Sequence, residues 1–277
     1  VWELDKNTWT LTIKGKGRME DYSFLEKAPW GDYAKKIQKV IITNGITYIG
    51  QYAFSQHFLL EEVSLPESLT EIGDFAFLDC MYLENIEFPE ELCSIGANAF
   101  RECQHLKIIE FPKNVSSIGE EAFALCYHLE KVTFSSDAKC GDGLFTRCEA
   151  LEEVILPEVM TAIPIRMFAG CTALATVHMP KQAESIGQSA FLECKALEEI
   201  AIPSGITQIQ SYLFYNCKKL SKVSLPSGLT EIGNDAFYGV SSHWDLYYAG
   251  TEDEWAAVEI SEDNALNNAT MHFSGEN

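Results

Sequence analysis

Cysteine is the residue type in this 277-residue chain best able to do chemistry, and there are nine of them. Thiolates can hold zinc, pair as disulfides or act as nucleophiles, and spacing separates these uses. A structural zinc site needs donors converging from short spacings such as C-x₂-C. Here Cys80, Cys103, Cys126, Cys148, Cys171, Cys194 and Cys217 recur every 23 residues, with a single interval of 22. That recurrence puts one thiol on each turn of a stacked array, all facing the same way, so no set of them converges on a metal. Neighbouring strands of a parallel ladder lie about 4.8 Å apart, within reach of a disulfide, but parallel Cβ vectors do not bring two sulfurs together. The column therefore reads as buried thiols that pack as small hydrophobes. His57 takes the cysteine slot in the first repeat, which fits packing rather than ligation.

Carboxylates and histidines give no stronger lead. The pairs Glu61-Glu62, Glu90-Glu91, Glu120-Glu121, Glu152-Glu153 and Glu198-Glu199 look like general acid–base dyads. Adjacent strand residues face opposite ways, however, and the pairs return at the repeat phase, which describes a solvated face. The six histidines are scattered, and there is no Gly-x-Ser-x-Gly elbow, phosphate loop or His-Glu-x-x-His. No catalytic residue, cofactor or metal is expected, and the chain reads as a non-enzyme.

The elements that carry these residues follow from the period. Phe54, Phe77, Phe100, Phe123, Phe145, Phe168, Phe191, Phe214 and Phe237 mark one position of a unit that cannot bury its apolar face alone and does so by stacking. Each unit opens on an alternating strand, as in Ile37 to Ile42, with Val40 and Ile42 inward and Lys39 and Ile41 outward. About ten such strands share this spacing and phase, down to Leu246 and Tyr248, so they must run parallel. A proline such as Pro66, Pro89 or Pro112 ends most strands, because it has no amide hydrogen to donate. An Ile-Gly corner follows, as in Ile72-Gly73 and Ile118-Gly119, and then Ala-Phe-x-x-Cys-x-x-Leu, whose spacing predicts a short helix or 3₁₀ turn. From Phe134 to Gly143 one residue is missing, Ser135 replaces the proline and Cys140 takes the Ile slot. This reads as an irregularity, since Asp137 and Asp142 are too few for a calcium loop.

Residues 1–36 lack the repeat and, with Trp2 and Trp30, read as an N-terminal cap; 37–248 form the array and 249–277 the closing cap of one domain. In the closing segment Thr251 and Glu254 have the spacing of a capping box that starts a short helix.

Leu-x-x-Ile-x-Phe-Pro followed by Ile-Gly-x-x-Ala-Phe-x-x-Cys resembles the BspA-like leucine-rich repeat over about three quarters of the chain. Gly15-Lys16-Gly17 with Ala28-Pro29-Trp30, and Tyr247 to Trp255, are similar to the segments that flank such arrays. The resemblance implies an α/β solenoid: a right-handed leucine-rich-repeat superhelix with its parallel sheet on the concave face and short helical or 3₁₀ turns on the convex side. It also implies an extracellular or cell-surface protein of a bacterium, of a family some of whose members bind host proteins or promote adhesion.

Composition narrows the partners. A formal charge of −21 excludes the basic surface that nucleic-acid binding demands. No apolar run approaches the roughly 18 residues of a membrane span. The remaining candidate is the outward face of the sheet, about 43 Å long for ten strands. Its contact patch is placed at Ile108, Glu110, Lys131, Thr133, Glu153, Ile155, Thr176 and His178, because Ile108 and Ile155 are large apolar groups at exposed phase. The expected function is a protein-binding module whose partner is a protein, with a host extracellular protein as the candidate. A structural spacer and a glycan binder using Trp244, Tyr247, Tyr248 and Trp255 are the alternatives.

Overall fold

The computed structural model describes residues 1–135, 137–262 and 264–274. The chain divides into two units, Val1–Cys148 and Glu149–Asn277, each built by the same rule. The first unit holds β1 (Trp2–Asp5), β2 (Thr10–Ile13), β3 (Gly17–Arg18), β4 (Lys39–Ile42), β5 (Ile46–Ile49), β6 (Glu62–Ser64), β7 (Glu71–Ile72), β8 (Ser94–Ile95), β9 (Ile108–Phe111), β10 (Ser117–Ile118), β11 (Lys131–Phe134) and β12 (Lys139–Cys140). Its main sheet runs parallel from β2 through β4 to β6, passes through the isolated bridges Glu62↔Asn85 and Asn85↔Ile108, and ends with β9 and β11. A second ladder at the corner joins β3, β5, β7, β8, β10 and β12. The second unit holds β13 (Glu153–Ile155), β14 (Ala162–Ile163), β15 (Thr176–His178), β16 (Ser185–Ile186), β17 (Glu199–Ala201), β18 (Gln208–Ile209), β19 (Lys222–Leu225), β20 (Glu231–Ile232), β21 (Trp244–Tyr248), β22 (Glu259–Ile260) and β23 (Ala269–Phe273). There β13 pairs with β15, and β17, β19, β21 and β23 form one parallel sheet, with β14–β16 and β18–β20–β22 at the corner.

The terminal segments are more repeat-like than expected. β2 pairs with β4 in the register of the array, Leu11 opposite Val40 and Ile13 opposite Ile42, while β1 folds back antiparallel and covers its edge. At the other end β22 and β23 extend both ladders of the second unit. The short helix α1 (Glu252–Trp255) lies between β21 and β22 and starts with the expected box: Glu254 N–H donates to Thr251 Oγ1 at 3.3 Å and Thr251 N–H to Glu254 Oε2 at 2.8 Å.

The core is a column of aromatic rings. Phe54, Phe77, Phe100 and Phe123 stack at centroid spacings of 5.1–5.2 Å. In the second unit Phe168, Phe191, Phe214 and Phe237 stack at 5.5–5.7 Å. All are fully buried, and each contributes roughly 1.5–3 kcal/mol by leaving water. Trp30 stacks on Phe54 at 5.6 Å and Trp244 on Phe237 at 5.1 Å, so an indole terminates the column in each unit.

The short helix or 3₁₀ turn expected around each marker phenylalanine is not confirmed; the chain makes tight turns there. Two residues in every such turn are left-handed, as at Phe75 (φ 56°) and Asp79 (φ 61°) around Phe77, and again at Asn98 and Glu102 around Phe100. Left-handed residues break an α-helix, and the amides they turn outward bond the next turn instead: Phe77 N–H donates to Ala99 O at 2.8 Å and Asp79 N–H to Arg101 O at 2.9 Å. These turns thus form a third ladder, and the α/β label is not confirmed. The side chains keep their expected direction. Cys80, Cys103 and Cys126 are buried free thiols whose S–H donates to the carbonyl of Phe54, Phe77 and Phe100 at 3.3–3.4 Å. Cys194 and Cys217 do the same to Phe168 and Phe191.

The corner glycines serve close approach. A Cβ on Gly96 would lie 2.5 Å from Asp74 N, and one on Gly119 would lie 2.3 Å from Ala97 N. The irregular turn keeps this feature, with Gly141 over Glu120 and Cys140 opposite Ile118. Of the segment that lacks a residue, Ser136 is outside the described residues.

Candidate functional site

Alternation on the main sheet delivers the outward side chains. In the first unit Ile108 stands opposite Lys131 and Glu110 opposite Thr133. Ile108 is 43 % exposed, Glu110 and Lys131 are exposed, and Thr133 is half-buried. In the second unit Glu153 stands opposite Thr176 and Ile155 opposite His178. Ile155, the last residue of β13, is 64 % exposed. His178 Nε2 reaches Glu153 Oε1 at 2.8 Å, a diagonal pair in the open that holds the imidazole in place and is worth less than about 1 kcal/mol. Within each unit, then, the expected residues are brought side by side in two adjacent strands.

Charge pairs of the same kind run along the face. Lys39 meets Glu62 at 2.6 Å, Lys222 meets Glu199 at 3.4 Å, and His272 meets Asp245 at 2.8 Å. Each joins neighbouring turns. Sequence reasoning missed them because it treated outward residues one at a time, although the Lys39–Glu62 and Glu199–Lys222 partners stand 23 residues apart in the sequence.

The sequence also gave no hint of two grooves. In the first unit the turn at Asn85 keeps only bridges, and a groove of about 340 Å³ opens there between Glu62, Ser64, Asn85 and Glu87. In the second unit no strand pairing among the described residues links β15 to β17, and a groove of about 380 Å³ opens between Thr176, His178, Glu199, Ala201, Lys222 and Ser224. Both grooves therefore coincide with lapses in the ladder. The second contains two of the residues singled out from sequence.

A further cavity of about 360 Å³ lies in the N-terminal segment of the first unit, where Lys27, Lys35 and Lys36 approach Phe24, Phe58 and His57. His57 is almost fully buried. Burial pushes it down to about 4, so the ring is neutral, and Nδ1 bonds the Ser55 carbonyl at 3.1 Å while Nε2 has no partner among the described residues.

Two of the four aromatic residues proposed for sugars are inside the protein, and Trp255 is half-buried. Trp244 and Tyr248 are 2 % exposed, the Tyr248 hydroxyl donating to Ser227 O at 2.9 Å, and Trp255 packs edge-on against Tyr248. Tyr247 is 39 % exposed, but His272 stacks on its ring at 4.4 Å and Lys222 Nζ stands 5.8 Å from its centroid. The four rings close the last turns rather than line a platform.

The buried thiols are poor nucleophiles. Desolvation raises Cys103, Cys126, Cys194 and Cys217 well above the ordinary thiol range and pushes half-buried Cys140 up to about 12. Among the described residues no group of three or more His, Cys, Asp or Glu is placed to hold a metal ion, and no helix is long and apolar enough to cross a membrane.

These features define a parallel-strand solenoid of about ten turns with little helix, the fold of leucine-rich repeat proteins. The BspA-type leucine-rich repeat model matches residues 32–148 and 138–248, in six copies, and the chain belongs to that family. Among solved structures it is similar to a leucine-rich repeat protein from Bacteroides ovatus, with 23% identity over all of this chain and 77% of that one and a TM-score of 0.72. It is also similar to the pneumococcal vaccine antigen PcpA, with 16% identity, 95% of this chain and 83% of that one covered, and a TM-score of 0.55. At these identities the likeness concerns the fold. No protein of curated description matches the chain.

Proposed function

We propose that the chain is a non-enzymatic protein-binding module of a bacterial cell-surface or secreted protein, engaging a host extracellular protein through the outward face of its main sheet. The observation that carries this is the contrast between the two faces of one strand. Inward positions repeat the same few apolar residues, whereas outward positions change from turn to turn and present Ile108 and Ile155 to solvent. A large apolar side chain held in water among polar neighbours, one in each unit, is a feature that contact with a partner would cover. The face also offers the groove around Thr176 and His178. Family membership supports surface display, and a vaccine antigen of the same fold agrees with it. The raised thiols and the neutral, buried His57 offer no catalytic constellation.

The competing reading is a spacer that merely holds another domain at a distance. Ile108→Glu and Ile155→Glu, introduced singly, separate the two. Binding to a surface coated with host extracellular matrix is expected to weaken about tenfold for each, because a buried carboxylate at a hot spot costs more than about 1.4 kcal/mol. Melting temperatures should stay unchanged, since both side chains point to water. Unaltered binding by both variants would rule out this face, and absence of any binding by the unmodified protein would favour the spacer.

A further inference from the structure

The first turn of the array has a different neighbour from the turns that follow. In those, the side chain of the cysteine slot faces the preceding turn, as Cys80 Sγ does in donating to Phe54 O at 3.3 Å. Before the turn at Phe54 comes only the crossing segment that Trp30 pins in place, its Nε1–H donating to Ala53 O at 2.9 Å and its ring stacking on Phe54. His57 fills the slot here and so faces that segment. Segment and turn do not close on each other. Between them lies the cavity of about 360 Å³, within the range of roughly 300–1,000 Å³ usual for small-molecule sites, and His57 is part of its wall.

The rest of the wall is apolar and basic. Phe24, Phe58, Ala34 and Ala53 supply apolar surface, Phe24 standing 63 % exposed. Lys27, Lys35 and Lys36 are exposed in the same wall, and none is in an ion pair among the described residues. Lys36 Nζ stands 5.1 Å from the centroid of Trp9. Asp32 is the one carboxylate of the lining, so the cavity is positive in a chain of formal charge −21. The excess belongs to this end of the chain, since eight of the 20 Lys and Arg lie within the first 39 residues. Ammonium groups gathered round one cavity repel one another, a cost that a bound anion removes.

His57 adds direction. Its Nδ1 lies 3.1 Å from Ser55 O, and a carbonyl only accepts, so Nδ1 carries the hydrogen and Nε2 keeps its lone pair. That nitrogen is buried and has no partner among the described residues; it lacks the donor that a buried acceptor requires.

We propose that this cavity binds a small aromatic carboxylate with a hydroxyl or N–H on its ring, the carboxylate meeting the lysines, the ring packing on Phe24 and Phe58, and the donor reaching His57 Nε2. An inorganic anion would leave the apolar wall and Nε2 uncovered, and an uncharged apolar ligand would leave the lysines unpaired. The site shares no residue with the outward sheet face, so it is independent of the protein-binding role.

Calorimetric titration with 4-hydroxyphenylacetate tests this, with phenylacetate and 4-hydroxyphenethylamine as probes that lack the phenol donor and the anion respectively. One saturable site per chain is expected for the first probe, about threefold weaker binding for the second and none for the third. Lys35→Gln combined with Lys36→Gln removes two exposed charges and should weaken binding about tenfold or more at an unchanged melting temperature, while Lys181→Gln leaves binding as it was. Imidazole nitrogen resonances of the unsubstituted protein supply a check that does not depend on variants folding: 4-hydroxyphenylacetate should move Nε2 of His57 and leave that of His178 in place. Absence of saturable binding, equal binding of either comparison probe, an unchanged affinity in the double variant, or an unmoved His57 resonance would each overturn the proposal.

Discussion

Replacing Gly119 by alanine tests whether the solenoid depends on backbones meeting at the corner. The glycine is not there for a left-handed φ, since its backbone is one any residue adopts. Its Cα instead faces the preceding turn. An added Cβ would lie 2.3 Å from Ala97 N, 2.5 Å from Gly96 C and 2.6 Å from Ala97 Cα, all backbone atoms with no rotamer to move. Ordinary contact therefore requires the two turns to part by about 1 Å, an overpacking strain of about 1–3 kcal/mol. The same movement stretches the bond from Gly119 N–H to Ile95 O, now 2.8 Å, for about a further 1 kcal/mol. The expected loss is about 3 kcal/mol, borne by one interface between neighbouring turns. Urea unfolding followed by far-ultraviolet circular dichroism measures it, with Gly228→Ala as the matched control. A Cβ at Gly228 meets nothing within 4 Å, so that variant should be neutral or gain up to about 1 kcal/mol from the stiffer unfolded chain. Gln210 occupies the corner slot in the second unit, which shows that a turn can be laid down around a side chain when its neighbours are set for it. A Gly119→Ala protein within 0.5 kcal/mol of the parent, or a Gly228→Ala protein equally destabilised, would refute the close-approach account.

Three further outcomes follow from buried titrating groups. The lowered value of His57 means that the unfolded chain binds more protons than the folded one between pH 6.5 and about 4, so stability should fall as pH drops through that window, by about 3 kcal/mol at most. His57→Cys, which restores the residue of the column, should remove that part of the acid sensitivity, read as the difference in urea midpoint at pH 7 and pH 4.5. Iodoacetamide at pH 8 should label native Cys93, which is exposed, and spare buried Cys103, Cys126, Cys194 and Cys217 until denaturant is added; intact mass spectrometry counts the adducts. Asp79 is pushed up to about 6 by desolvation and by Glu102 in the next turn, and it sits at a left-handed φ of 61°. Asp79→Asn should therefore raise the melting temperature at pH 7, and the gain should shrink toward pH 5 as the parent carboxylate takes up its proton.

Much of this fold could be read from spacing. The marker phenylalanines, the inward strand residues and the cysteine column occupy the interior positions that the 23-residue period assigned to them, because a parallel stack leaves each slot a single environment. The helical turn is not confirmed, for a physical reason. Phe, Cys and Leu at three-residue spacing fit a helix, but they fit equally well a pair of turns whose amides bond the neighbouring unit, and periodicity records side-chain direction, not the destination of the amide hydrogen. Glu102, Leu125 and Glu193 gave no warning of positive φ, since glycine fills that slot only at Gly170 and Gly239. The grooves at Asn85 and between β15 and β17 were also illegible. They come from small departures in strand pairing that leave the sequence phase untouched.

A repeat of fixed length also changes what counts as a cluster of residues. In most folds two side chains 23 positions apart are strangers, but here they are stacked neighbours about 5 Å apart, as Tyr215 and Tyr238 are at 5.2 Å and Tyr52 and Phe75 at 4.7 Å. A single substitution in an outward slot alters one rung, whereas the same residue type in two successive slots creates a paired site with no change in the scaffold. His105 beside His128, Glu62 beside Lys39, and the Asp79–Glu102 carboxylates are three such pairs with three different chemistries: stacked imidazole rings, an ion pair, and a strained pair of carboxyl groups. The constancy of the interior is what makes this possible. Because the phenylalanine column fixes the rung spacing, the chemistry of the surface is set by which residue types coincide in one slot, and that coincidence can be scanned directly in the sequence once the period is known.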